Sequence, residues 1–324
     1  MSLADNSRAF KPFKYLWAYE AYKLQNQIHW APEEVPMADD IEDWNNKLTV
    51  SEKNLLTHIF RFFTQGDIDV ASSYINNFLP TFPPAEVRMM LLSFAAMEAV
   101  HIDAYSLLIE TVGMPSEVYS QFLEYKEMAD KHNYMSQFNP SSSRDLALAM
   151  AAFGAFTEGL QLFSSFAILM NFPRFNKMKG MGQIVTWSVR DESLHVESMI
   201  KLFKTFISEN PEIWNKDFRD EIRNICKNIV ELEDKFIDLA FEIGPVEGLS
   251  SQDIKRYIRF VADGRLVQLG LDPEYYIGKN PLPWMDNILN LHEHANFFEV
   301  RATEYSKGTT TGTWEEAFNI HIGK

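Results

Sequence analysis

Two acid–imidazole pairs recur at one helical spacing, Glu98-Ala-Val-His101 and Glu192-Ser-Leu-His195. Residues three and four apart are neighbours on a helix surface, so in each pair both side chains can aim at one point. Tyr105 follows His101 by one further turn on the same stripe. The flanking stretches, residues 89–97 and 107–109, are apolar. Ionisable groups in such surroundings are costly to bury unless they are paired or hold a cation. Two more carboxylates, Asp67 and Glu158, stand in two other long apolar segments. One acid from each of two helices and a Glu-x-x-His from each of two others make the donor set of a carboxylate-bridged dimetal site in a helix bundle. Asp69 competes with Asp67 for the first position, and Asp67 is preferred.

Four carboxylates and two neutral imidazoles balance the charge of two divalent cations, so a filled site is near neutral and tolerates an apolar interior. Without cations, like charges crowd together and some carboxyls must stay protonated. The oxygen-rich, thiolate-free set suits iron or manganese better than zinc or copper. Mn/Mn, Fe/Fe and Mn/Fe remain open.

Long helices must carry these groups. Thr49-Val-Ser-Glu52 reads as a capping box and predicts a helix over 51–78 bearing Asp67. Pro80, Pro83 and Pro84 mark a turn, and Pro84 is placed to start the helix with Glu98, His101 and Tyr105, which stops at Gly113-Met-Pro115. A shorter polar helix is predicted over 116–134. Ser141-Ser-Ser-Arg opens the apolar helix of Glu158, ending near Asn171-Phe-Pro173. From about Met181 another carries Trp187, Arg190, Asp191, Glu192 and His195, up to Glu209-Asn-Pro211. Helical patterns over 14–29, 213–241 and 251–269 complete the chain. Helices of about 28 residues would be about 42 Å long, natural for a long bundle. With no β-alternation and no solenoid repeat, the expected fold is all-α, a ferritin-like bundle over 1–279 followed by a C-terminal segment and flexible tail over 280–324.

A formal net charge of −15 argues against a nucleic-acid or anionic-membrane footprint. The lone Cys226 excludes an internal disulfide and suits a reducing, cytoplasmic setting. No basic segment followed by an apolar run opens the sequence, so no signal peptide is expected. Residues 146–170 are long enough to span a bilayer, but Glu158 at their centre favours a core helix with a functional carboxylate. His292 and His294, two apart, diverge on a helix and read as solvated.

From about Tyr15 onwards the chain resembles the radical-generating small subunit of class I ribonucleotide reductase. The resemblance rests on Asp67, Glu98, His101, Glu158-Gly159 and Arg190-Asp191-Glu192-x-x-His195, and it implies that Asp67, Glu98, His101, Glu158, Glu192 and His195 hold two metal ions, activated by an oxygen species. It further implies that Tyr105 is the radical site, and that Trp30 of Trp30-Ala-Pro-Glu-Glu34 and Asp191 lie on an electron path. Tyr305, with Glu299 on the same stretch, would pass the radical to a large subunit on which the tail docks. Ser188 and Leu162 stand where larger apolar residues are often found. The overall look is similar to the dimanganese subclass in which the cluster is the oxidant, so that Tyr105 is either a radical site or a vestigial neighbour. A homodimer is implied, and an activator flavoprotein is an admissible further partner. The alternatives are a stand-alone dimetal oxidase or monooxygenase on the same bundle, with no use for Tyr305 or the tail, and a ferritin-like metal store.

Overall fold

The computed structural model describes residues 2–6 and 9–289. The α-helices up to residue 269 are α1 Leu16–Gln27, α2 Ala38–Glu42, α3 Val50–Ser73, α4 Ala85–Thr111, α5 Lys126–Met135, α6 Ser143–Arg174, α7 Lys179–Glu209, α8 Lys216–Ala240 and α9 Ser251–Leu269. The residues up to Pro283 form one compact unit, and a second begins at Trp284. No strand occurs among the described residues. Tyr305, Glu299, His292 and His294 lie outside them.

Local chemistry sets several helix ends. Thr49 and Glu52 form the reciprocal capping box of α3. Gly113, at φ +75°, ends α4 in the left-handed conformation that glycine adopts without strain. Ser142, Asn215 and Ser250 cap α6, α8 and α9. The helix predicted over 116–134 begins only at Lys126; residues 116–124 form two tight 3-10 turns instead.

Helix α6 is the centre of the bundle, packed by α3, α7, α8 and α9. It is long and apolar enough to cross a bilayer, but its apolar stretch is wholly enclosed by protein, as expected of a core helix. Between Ala151 and Leu162 its turns widen to a π-helix, the kind of local widening found at functional sites. The Gly159 carbonyl accepts a hydrogen bond from Arg265 Nε at 2.8 Å. A Cβ on Gly159 would stand 2.7 Å from that nitrogen, and one on Gly154 would stand 2.6 Å from Met199 Cβ. Glycine at these two places lets α9 and α7 approach the segment that carries Glu158.

Periodicity alone missed α2 and the π-turn Asp43–Lys47 after it. A helix of five residues is too short to show a pattern, and its stability is tertiary. Asp40 is fully buried and accepts from the Gly180 and Met181 amides at 2.9 and 2.7 Å, while Asp43 accepts from Met178 N at 2.7 Å. These acids cap the start of α7 from a distant part of the chain. Asp40→Ala is expected to lower stability by about 2 kcal/mol, because two buried donors lose their partner, and the thermal midpoint of the metal-free protein should fall by a few degrees.

Candidate metal centre

Four helices converge on one buried cluster. Asp67 comes from α3, Glu98 and His101 from α4, Glu158 from α6, and Glu192 and His195 from α7; none of the six is more than 1% exposed. Donor atoms of Glu98, Glu158, Glu192 and His195 all lie within 4.8 Å of one another. Asp67 faces the same cluster, electrostatically coupled to Glu98, His101 and Glu192. Asp69 turns away from it, to Gln65 and to His132 at 2.8 and 2.7 Å.

The arrangement has an internal two-fold character. Glu98 places Oε1 3.1 Å from His195 Nδ1 and Oε2 3.4 Å from His101 Nδ1. Glu192 does the reverse, with Oε1 3.3 Å from His101 Nδ1 and Oε2 3.5 Å from His195 Nδ1. Each histidine nitrogen is thus flanked by one oxygen of each glutamate, the disposition of two carboxylates that bridge a pair of ions. Asp67 completes the His101 side. Glu158, with Oε1 3.9 Å from His195 Nδ1, completes the other.

Among the described residues, Asp67 Oδ2, both Glu98 oxygens, Glu192 Oε2 and His195 Nδ1 lack a hydrogen-bond partner of normal geometry. Orphaned buried polar atoms this close together are costly, and a pair of cations would satisfy them. Burial, reinforced by the Glu98 charge, raises the Asp67 pKa well above the carboxylate range. Burial and Glu192 do the same to Glu158. Burial also pushes Glu98 up, but contacts with His101 and His195 outweigh it and hold the pKa at about 2. Burial opposes the charged ring of His195, yet Glu192 and Glu98 keep its pKa near 10. Protons on these groups therefore compete with cations, and metal affinity must rise with pH. The residues fit two hard or borderline divalent ions.

The outer nitrogens of both histidines are held from behind. His101 Nε2 lies 3.3 Å from Asp191 Oδ2, and the same oxygen accepts from Trp30 Nε1 at 2.8 Å. His195 Nε2 lies 3.0 Å from Gln25 Oε1, and Gln25 Nε2 donates to Asp191 Oδ1 at 3.2 Å. Such contacts fix the tautomer and leave each Nδ1 free to ligate. Sequence reasoning missed Gln25, although it lies on the buried stripe of α1 with Ala18 and Ala21, where a polar residue stands out. It also missed Tyr74, seven residues beyond Asp67, whose hydroxyl donates to Glu158 Oε1 at 2.5 Å.

Tyr105 is buried beside the cluster with its ring stacked 4.3 Å from Phe63, and Phe63 also stacks with Phe166 at 5.8 Å. Burial and the nearby Asp67 charge push the phenol far above its usual pKa, eased by the Ser188 hydroxyl. Ser188 and Leu162 are both buried.

A buried bundle that brings four carboxylates and two histidines from four helices to one point is a ferritin-like protein whose core could hold two metal ions. Residues 7–281 match the family model for the ribonucleotide reductase small chain, and the chain belongs to this family, the radical-generating small subunits of ribonucleoside-diphosphate reductase. It is 44% identical, over 96% of its length and 87% of the relative's, to a probable ribonucleoside-diphosphate reductase small subunit of Invertebrate iridescent virus 3. With the ribonucleoside-diphosphate reductase subunit beta of Chlamydia pneumoniae it shares 32% identity, covering 91% of this chain and 88% of that one. The ribonucleotide reductase R2 subunit of Clostridium botulinum superposes with a TM-score of 0.83 at 25% identity, over 89% of this chain and 94% of that one. The fold is also that of a Streptococcus sanguinis dimanganese(II)-NrdF, with a TM-score of 0.75 at 19% identity, over 84% and 94% of the two chains.

Proposed function

We propose that Asp67, Glu98, His101, Glu158, Glu192 and His195 hold two metal ions, Mn/Mn, Fe/Fe or Mn/Fe, in this reductase subunit. The bound pair, activated by an oxygen species, would supply the one-electron oxidising equivalent from which the large subunit starts ribonucleotide reduction. Glu98 and Glu192, each lying against both histidines, would be shared by the two ions, while Asp67 with His101 and Glu158 with His195 would complete the two positions.

The observation that carries the relay is the chain Trp30 Nε1–Asp191–His101 Nε2. Asp191 holds the indole proton at one end and the tautomer of a metal-ligating imidazole at the other. Trp30 is buried, while its neighbours His29, Glu33 and Glu34 are exposed, so the chain runs from the cluster towards the surface. Tyr305 and Glu299 would continue it to the large subunit, with the tail of 280–324 as the docking element. Removing residues after Gly308 is expected to abolish turnover in a mixture with the large subunit while two ions stay bound. An unchanged rate would favour the stand-alone oxidase.

Tyr105 serves either as the radical site or as a neighbour of a cluster that holds the oxidising equivalent itself. Low-temperature EPR of the activated protein separates the two, since a sharp organic signal assigns the radical to the tyrosine and a many-line manganese signal assigns it to the cluster. The homodimer fits helix α4, which is apolar yet only 44% buried. Its outward stripe of Leu92, Ala96 and Ala99 is exposed, suited to a second copy. The lone cysteine and the absence of a disulfide suit a cytoplasmic protein.

A further inference from the structure

Tyr74 belongs neither to the six-residue donor set nor to the Trp30 relay, yet it is sealed against the centre. It is 2% exposed. Its ring stands edge-on to His195, Phe94 and Phe78, with centroids 6.2, 6.0 and 6.2 Å away. The π-turn Tyr74–Phe78 begins at this residue and ends the regular part of α3, opposite the widened turns of α6 that carry Glu158. The enclosure is aromatic and apolar, and the partner of the hydroxyl there is Glu158 Oε1 at 2.5 Å, the short distance of a charge-assisted bond.

The cluster carboxylates are not treated alike. Asp67 Oδ2, both Glu98 oxygens and Glu192 Oε2 have no hydrogen-bond partner of normal geometry among the described residues, whereas Glu158 Oε1, the oxygen 3.9 Å from His195 Nδ1, is held by the Tyr74 hydroxyl. A carboxylate free to rotate can chelate one ion, bridge two or bind through a single oxygen. One oxygen engaged by a fixed phenol restricts that choice.

We propose that Tyr74 is a positioning residue that fixes the binding mode of Glu158, and so sets the affinity and geometry of the metal position shared by Glu158 and His195. This rests on Glu158 being a ligand. Removal of the tether should resemble loss of other outer partners of metal ligands, which weakens binding by about 10–100-fold. The effect should fall on one position, because His101 and Asp67 do not touch the phenol.

The test is a manganese(II) chloride titration of the full-length, metal-free protein, read by EPR as loss of the free aquo-ion signal and growth of the coupled-pair signal. Tyr74→Phe removes one oxygen from an apolar enclosure and keeps the ring. It should bind the first ion as the unaltered protein does and the second about 10–100-fold more weakly, with an altered coupled-pair spectrum. Tyr74→Met, carried in parallel, should show the same split, which sets the hydroxyl apart from ring packing. Glu158→Ala should lose one ion outright. If Glu158→Ala loses an ion while the Tyr74→Phe isotherm and spectrum superimpose on those of the unaltered protein, the tether has no role and the proposal is overturned. If Glu158→Ala still binds two ions at full affinity, the ligand assignment is itself wrong and the proposal goes with it.

Discussion

Glu98→Ala is expected to abolish binding of two ions and, with it, turnover in the presence of the large subunit. Its two oxygens lie 3.1 and 3.4 Å from the Nδ1 atoms of the two histidines, so one side chain serves both positions. The other carboxylate lying against both histidines, Glu192, is already engaged with them at 3.3 and 3.5 Å. Outer partners of metal ligands are worth about 10–100-fold in affinity; a bridging ligand should exceed that. Elemental analysis after dialysis should find one ion or none per chain. Two retained ions with unaltered spectra would contradict the bridging geometry.

Asp191→Asn should damage the protein in two separable ways. The Asp191 carboxylate faces three nitrogens, Trp30 Nε1, Gln25 Nε2 and His101 Nε2. An amide of the same shape turns one acceptor into a donor that faces a donor. If the amino group lies towards His101, the imidazole loses the partner that keeps its proton on Nε2, and Nδ1 is no longer held free for a ligand role. Metal affinity on the His101 side should fall by about 10–100-fold. Trp30 also loses the acceptor of its indole proton, so turnover should fall further than metal loss explains. Trp30→Phe is the comparison: it should leave two-ion binding unchanged and still eliminate turnover. An Asp191→Asn protein with full metal content and an ordinary rate would remove Asp191 from the path.

The sequence was legible where one helix carries its own signal. Glu98 with His101 and Glu192 with His195 are each a local pattern, and the apolar stretches around them said that the pairs were buried. The capping box at Thr49 and the stop at Gly113 are contacts within a few residues, so composition at fixed offsets sufficed. Glu158 could be read because a carboxylate in the middle of a long apolar helix is too costly to bury unless it meets a cation or a donor there. Asp67 was harder, since Asp69 is a competitor two residues away. Only the packing of α3 shows that one turns into the cluster and the other outwards to His132.

What periodicity could not supply depends on segments distant in sequence. Asp40 and Asp43 cap α7 across about 140 residues of chain, and a five-residue helix has no pattern of its own to announce it. Gln25 and Tyr74 are ordinary residues until α1 and α3 are docked beside His195 and Glu158. The sequence by itself determined the donor types, their number and the helices that bear them, because those follow from local spacing and from the cost of burying charge. The tertiary structure alone decided which carboxylates lie between the histidines and which lie outside them. That choice is made by how four rods pack, and packing is a long-range property that no single helix encodes.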